Sequence, residues 1–318
     1  MKDRKTIRVV VFPGGFNLPL WAAIDQGFYD LQGIEIDLHY TASSVDQLSG
    51  LASGQWDLGL TGFDNIVAYQ EGQGAVELEI EPDLFAFMGG DSGFLHLVVQ
   101  PGIRAYDDLR GKVLSVDALS TGFAFVLRKM LALNGIREDQ VSFDKAGGVL
   151  QRFEAMRAGR HAGTLMLTPF ELMGKRVGLR ILQSASEVLP HYQGICGAAR
   201  RAWAQENRSV LTAFVRGYMD GLEWLFEPDN KQAACQILAD KVAALSGGLD
   251  IEAYDLFTGS AYGFDPRASL DLRGIEAVLA LRSEYGVPRR ALTNPKKYFD
   301  LQYYDAALKP NGRAAARP

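Results

Sequence analysis

Small polar residues recur where apolar stretches of this chain give way to helix-like ones. Asn17 follows IRVVVFPGGF, Ser43 and Ser44 follow IEIDLHYTA, and Asn65 follows WDLGLTGFD. Further along, Ser120 and Thr121 follow KVLSVDAL, Gly147 follows VSFDKA, and Thr168 follows GTLML. A side-chain oxygen at such a position can accept a bond from a free N–H of its own helix, an N-cap worth about 1 kcal/mol. Several such positions gathered around one cleft, with helix N-termini behind them, make a site for a small anion such as a carboxylate or sulfonate. Both readings stay open for any one residue, and the number of them favours the site.

The same loops carry Phe12, Phe16 and Phe63, aromatics suited to line an apolar slot or stack on a flat organic molecule. Trp21 and Phe123 fall at apolar positions within helices and are expected in the core. Cations are scarce in these loops. Lys145, beside Gly147 and Gly148, is placed to reach the cleft, while Asp64 and Asp117 oppose a multiply charged phosphate. A singly charged or neutral organic ligand fits better. His39, His96, His161 and His191 have no zinc-ligand spacing, so no metal is expected; a structural role is favoured for each, while His96, on the outbound crossover, is also placed where it could face the cleft. No Gly-x-Ser-x-Gly, P-loop or His-Glu-x-x-His motif is present, and no cofactor is expected.

The elements that must position these residues alternate strand, loop and helix, first over residues 7–67 and again over residues 112–170. In a parallel α/β sheet such loops share one edge, where ligands bind. Gly89, Gly90 and Gly93 interrupt the pattern before the apolar Phe94 to Val99, and Gly194 and Gly197 flank a second extended stretch. From Ala202 the chain turns to long amphipathic helices, including Arg208 to Phe226 and Leu270 to Tyr285. These must pack on the first lobe if the stretches near 94 and 194 are paired crossovers. The expected organisation is an α/β fold of two lobes, each a mixed sheet flanked by helices. Residues 1–93 with 194–318 form one lobe and 94–193 the other. The polar tail ALKPNGRAAARP is expected to fray.

Composition agrees with a soluble globular protein: of 318 residues, 47% are hydrophobic and 22% charged, and 34 glycines suit many tight turns. A net charge of −5 with scattered Lys and Arg argues against nucleic acid as a partner. No apolar run approaches the roughly 20 residues of a membrane-spanning helix. Met1 to Arg8 is charged and enters a strand directly, without the pattern of a secretory leader. Either the chain is cytoplasmic or a leader is missing from this sequence. Cys196 and Cys235 have neither metal-ligand spacing nor a CxxC arrangement, and two unpaired, partly buried thiols are expected.

Four stretches, NLPLWAAIDQGFYDLQGIEID, LASGQWDLGLTGFDNIVAYQEG, YDDLRGKVLSVDALSTGFAFVLRKMLALNGI and VLTAFVRGYMDGLEWLFEPDNKQAACQIL, occur in the order found in one family. The chain resembles the substrate-binding proteins of ABC transporters with the type II periplasmic fold, in the NMT1/THI5-like (SsuA/TauA-like) group. It departs in MRAGRHAGTLMLTPF, where His161 precedes Ala162 in place of the usual Gly-x-x-Asp-Ala turn. The resemblance implies a monomeric periplasmic receptor that closes two lobes on a small organic ligand and delivers it to an ABC permease. Some relatives of this fold are enzymes, among them a desulfinase with a cleft cysteine and a pyrimidine-precursor synthase with a cysteine-rich motif. Neither cysteine here lies in a cleft loop and no such motif exists, so binding is expected over a cytoplasmic enzyme of the same fold.

Overall fold

A computed structural model describes residues 4–78, 80–242, 245, 247–259 and 263–309. The first three residues and the tail from 310 lie outside this range, and with them most of the stretch expected to fray. Ten strands are present among the described residues: β1 (Lys5–Val11), β2 (Ile34–Tyr40), β3 (Leu58–Gly62), β4 (Leu84–Met88), β5 (Leu95–Val99), β6 (Val113–Val116), β7 (Ser142–Lys145), β8 (Gly163–Leu167), β9 (Arg180–Ser184) and β10 (Ile195–Arg200). They form two five-stranded sheets, in the orders β2-β1-β3-β10-β4 and β7-β6-β8-β5-β9. The two are built alike. Three parallel strands lead each sheet, and a strand arriving from the far sheet then inserts antiparallel, β10 between β3 and β4 and β5 between β8 and β9.

Helices cover both faces of these sheets, so the central strands read as continuous apolar runs rather than alternating ones. Every residue of GTLML in the central strand β8 is buried, and so is every residue of LFAFM in the edge strand β4. The stretch LPLWAAIDQGFYDLQG forms two helices, Leu18–Asp25 and Phe28–Leu31. Gly27 between them has φ of +72°, a left-handed conformation that ends the first helix and that glycine adopts without cost from a Cβ. The long helix Arg208–Phe226 packs on this pair through a glycine face. A Cβ at Gly221 would lie 2.7 Å from the Pro19 carbonyl oxygen, and one at Gly217 2.5 Å from the Tyr29 ring. Tyr29 also stacks on Phe214, with centroids 5.4 Å apart.

The chain passes between the sheets twice, from β4 to β5 and from β9 to β10, and the two passages are tied together. Gly194 N–H donates to the Asp91 carbonyl (2.9 Å), while the buried Asp91 carboxylate accepts from the N–H groups of Gly93 (2.7 Å) and Ile195 (3.0 Å). Such close passage requires glycine: a Cβ at Gly194 would lie 2.1 Å from Asp91 Oδ1 and 2.3 Å from Gly93 N. Cys196 and Cys235 are both buried free thiols. No described helix is long and apolar enough to cross a membrane.

Candidate functional site

A cavity of about 70 Å³ lies where the loop ends of the two sheets face each other. Each wall is built by the same local rule: a parallel strand ends, a short turn follows, and a helix begins with its N–H groups toward the gap. From the first sheet, the turn after β1 presents Phe12 and Phe16, and the helix Phe63–Gln70 starts directly from β3 and presents Asp64 and Asn65. From the second sheet, the turn after β6 leads through Asp117 and Thr121 to the helix Gly122–Leu133. The turn after β7 leads through Gly148 to the helix Val149–Arg157, which carries Arg152.

Of the residues expected at the site, Phe12, Phe16, Asn65 and Thr121 line this cavity. Asn65 Nδ2 donates to Thr61 Oγ1 (2.9 Å), which holds its amide beside the gap. Thr121 caps no N–H; its hydroxyl donates to Asp117 Oδ1 (2.6 Å) and the Ala118 carbonyl (3.0 Å).

The remaining candidates do not line it. Asn17 is buried and its amide donates back to the carbonyls of Phe12 (2.6 Å) and Gly14 (3.0 Å), fixing the loop that carries the two phenylalanines. Ser43 is the N-cap of the helix Ser44–Ser53, accepting from Asp46 N–H (3.2 Å), and Ser44 is its buried first residue. Phe63 is fully buried in the core. Ser120 contributes its carbonyl to an interlobe contact described below, and Gly147 contributes a carbonyl to Arg152. Thr168 Oγ1 donates to Glu171 Oε1 (2.7 Å) and lines a different cavity.

The cation at this cavity is Arg152, not Lys145, which is exposed at the end of β7 and does not line it. A guanidinium three residues into a helix is not a loop cation, so a search of the loops misses it. The one signal was an Arg at a position of VLQRFEAMR where the helix turns inward. Arg152 is 3% exposed, donates to the carbonyls of Gly147 and Leu165 (3.2 Å each), and lies 3.7 Å from Asp117 Oδ1. Its Nε–H is buried with no acceptor. Burial draws the guanidinium below its ordinary pKa, and Asp117 opposes that shift.

Asp64 faces the cavity already neutralised. Arg282 of the helix Leu272–Tyr285 is fully buried and grips both carboxylate oxygens at 2.6 Å, the bidentate geometry of a strong charge-assisted pair. The same Nη2 donates to the Ser120 carbonyl at 2.6 Å, so one side chain joins the first turn of the helix Phe63–Gln70 to the turn after β6. Gly122 abuts Asp64 so closely that a Cβ there would lie 2.3 Å from the carboxylate carbon. Across the cavity, a Cβ at Gly148 would lie 3.2 Å from the Ala42 carbonyl oxygen and 3.6 Å from Phe12. These approaches define a closed cleft. With two carboxylates opposed by two arginines and three helix N-termini, the site favours one negative charge beside an aromatic wall.

None of the described residues groups three or more His, Cys, Asp or Glu side chains in a way that would hold a metal ion. His161 bonds Asp144 (2.8 Å) and His191 bonds Asp271 (3.1 Å), both away from the cavity.

Two mixed sheets exchanging strands around a closed interlobe cleft are the architecture of the type II periplasmic-binding proteins. The chain belongs to the NMT1/THI5 like family, whose model matches residues 17–231. Three solved structures share the fold at low sequence identity. The periplasmic nitrate-binding protein NrtA from Synechocystis PCC 6803 is 14% identical, with 96% of this chain and 88% of that one covered and a TM-score of 0.79. The ligand-binding component of an ABC-type import system from Staphylococcus aureus, with zinc bound, is 13% identical, with coverages of 96% and 99% and a TM-score of 0.75. The alkanesulfonate-binding protein SsuA from Xanthomonas axonopodis pv. citri, bound to MOPS, is 17% identical, with coverages of 93% and 96% and a TM-score of 0.72. No curated protein sequence matches the chain.

Proposed function

We propose that this protein is a solute-binding receptor that closes two lobes on one small organic anion and hands it to an ABC permease. The observation that carries the reading is the interlobe cavity itself, lined from both sheets, with the buried cation Arg152 on its wall. Such a site gains ligand contacts from both lobes only when shut, and hinge closure is how a two-lobed binder couples capture to a shape that a partner can read. The lobes assigned are residues 1–93 with 194–318, and 94–193. Arg152 and the helix N-termini hold the negative charge, Asn65 and Thr121 orient it, and Phe12 and Phe16 cover its apolar part. Asp117 disfavours a second negative charge. Function as a monomer outside the cytoplasmic membrane follows the family's mode of work.

The test is thermal-shift screening with alkanesulfonates, aromatic carboxylates, nitrate and pyrimidines, followed by small-angle scattering with any stabilising compound. At a ligand concentration of about 100 times Kd, binding adds about 2.7 kcal/mol of stability. For a chain of this size that raises Tm by several degrees. A rise in Tm with a more compact particle, and a ligand recovered unchanged by mass spectrometry, supports the reading. Conversion of the bound compound would move the protein to the enzymes of this fold.

A further inference from the structure

A second cavity, of about 160 Å³, lies along the hinge and is larger than the one in the cleft. Both passages between the sheets contribute to it: Phe94 and His96 from the first, Ala185, Leu189 and Tyr192 from the second. The Phe123–Tyr192 ring pair, with centroids 6.4 Å apart, stands between the cavities, Phe123 lining one and Tyr192 the other. Three features suit a ligand there. Its volume is close to the roughly 150 Å³ of an apolar protein cavity that takes up benzene. Its polar groups are hydroxyls and one imidazole, with no Asp, Glu, Lys or Arg among the described residues that line it. Finally, His96 Nδ1 is buried and meets no hydrogen-bond partner, with Ser184 paired directly across from it in the β5–β9 register.

Phe94 adds an independent mark. Its φ of +44° is left-handed, an uncommon conformation for a bulky side chain, held by the rings of Phe257 and Phe264 at 5.2 and 5.4 Å. Backbone strain of this kind persists only where the surroundings impose it, and it clusters at ligand clamps and switches. Burial pushes His96 down to about 4, with Lys175 adding to that shift and Glu187 opposing it, so the ring is neutral at physiological pH. An ion entering this space would lose its water and meet no charged side chain among the described residues that line it.

We propose that the hinge cavity is a second binding site, for an uncharged single-ring molecule with one hydroxyl, of which phenol is the simplest. The ring lies among Phe94, Leu189 and Tyr192, and the hydroxyl bonds the His96 imidazole. Its occupant touches both passages between the lobes, so its binding is linked to lobe angle. The inference goes beyond the receptor reading and stands or falls apart from it, because nothing in it depends on what the cleft holds.

The experiment is a phenol titration followed by the imidazole 1H–13C resonances, with His96→Asn assigning the His96 signal among four histidines. The expected result is a saturable shift of His96 with phenol and none with benzoate. Ala185→Leu, which fills the space from its floor, abolishes the shift; where that variant melts early, Leu189→Phe fills it from the rim and gives the same loss. A His96 signal that does not saturate, that responds equally to benzoate, or that still shifts in both folded variants overturns the proposal.

Discussion

Arg152 donates to two backbone carbonyls, and its Nε–H meets no acceptor among the described residues. A hydrogen bond to a charged group contributes about 1.5–3 kcal/mol, so Arg152→Met is expected to weaken anion binding by between ten- and a few hundredfold in calorimetric titration. Unchanged affinity would remove Arg152 from the site. Arg282 has a different part, since its charge is spent on Asp64 and on the Ser120 carbonyl. Removing one member of a buried ion pair leaves the other uncompensated at a cost of about 3–5 kcal/mol, whereas replacing both with apolar groups is often near neutral. Arg282→Met should therefore lower the urea midpoint strongly, and Arg282→Met with Asp64→Leu should recover most of the loss. Equal midpoints for single and double variants would show that the pair is not what holds this junction. The sequence displays Asp64 plainly in its loop, but its partner is 218 positions away, and no local pattern announces it. Arg152 was hidden differently, as an arginine in the middle of an ordinary amphipathic helix.

At the scale of elements, each cavity wall is a strand ending in a turn that starts a helix, and this was legible from apolar runs punctuated by Gly, Ser, Thr and Asn. What the sequence could not give was which turn residue faces the cavity and which serves its own loop. Ser43 caps a helix and Asn17 ties a loop, although both have the same chemistry and spacing as Asn65, which faces the gap. The helices Phe63–Gln70 and Gly122–Leu133 meet across the cleft through Gly122, where a Cβ would lie 2.3 Å from the carboxylate carbon of Asp64. Gly122 is the first residue of its helix and does not occupy the left-handed region, so alanine there is compatible with folding. Gly122→Ala is thus expected to fold with a lowered melting temperature, because the added methyl presses on the Asp64 carboxylate held by Arg282, and to prop the lobes apart. Its signature would be a lower ligand affinity together with a larger radius of gyration in the presence of ligand. Compaction equal to that of the wild type would mean that the lobes close without this contact.

Over the whole molecule, the two halves are joined at a hinge whose centre is a buried carboxyl. Asp91 accepts from Gly93 and Ile195 and forms no ion pair among the described residues, and burial raises its pKa from 3.8 to about 7. A carboxyl raised by folding keeps its proton in the native chain while the unfolded chain has lost it. Stability therefore declines as pH climbs between about those two values and levels off above them. Asp91→Asn retains an acceptor and cannot ionise. Measured by urea unfolding from about pH 5 to about pH 8, the wild type should lose stability relative to Asp91→Asn as pH rises. Parallel profiles would mean that the hinge carboxyl is ionised throughout. Glu171, raised to about 7 by its own burial, acts in the same direction in both proteins and cancels from the difference.

The sequence by itself determined the alternation of strands and helices, the two-lobed plan with its paired passages, and the family. These are properties of local periodicity, turn chemistry and burial, which are written in neighbouring residues. The tertiary structure alone decided that Arg152 rather than Lys145 lines the interlobe cavity, that Arg282 closes on Asp64, and that a second cavity without charged lining residues lies beside the passages between the sheets. Each of those depends on residues far apart in the chain meeting at short range. The strength of a buried charge or an unpaired N–H is set by the surroundings that folding gives it.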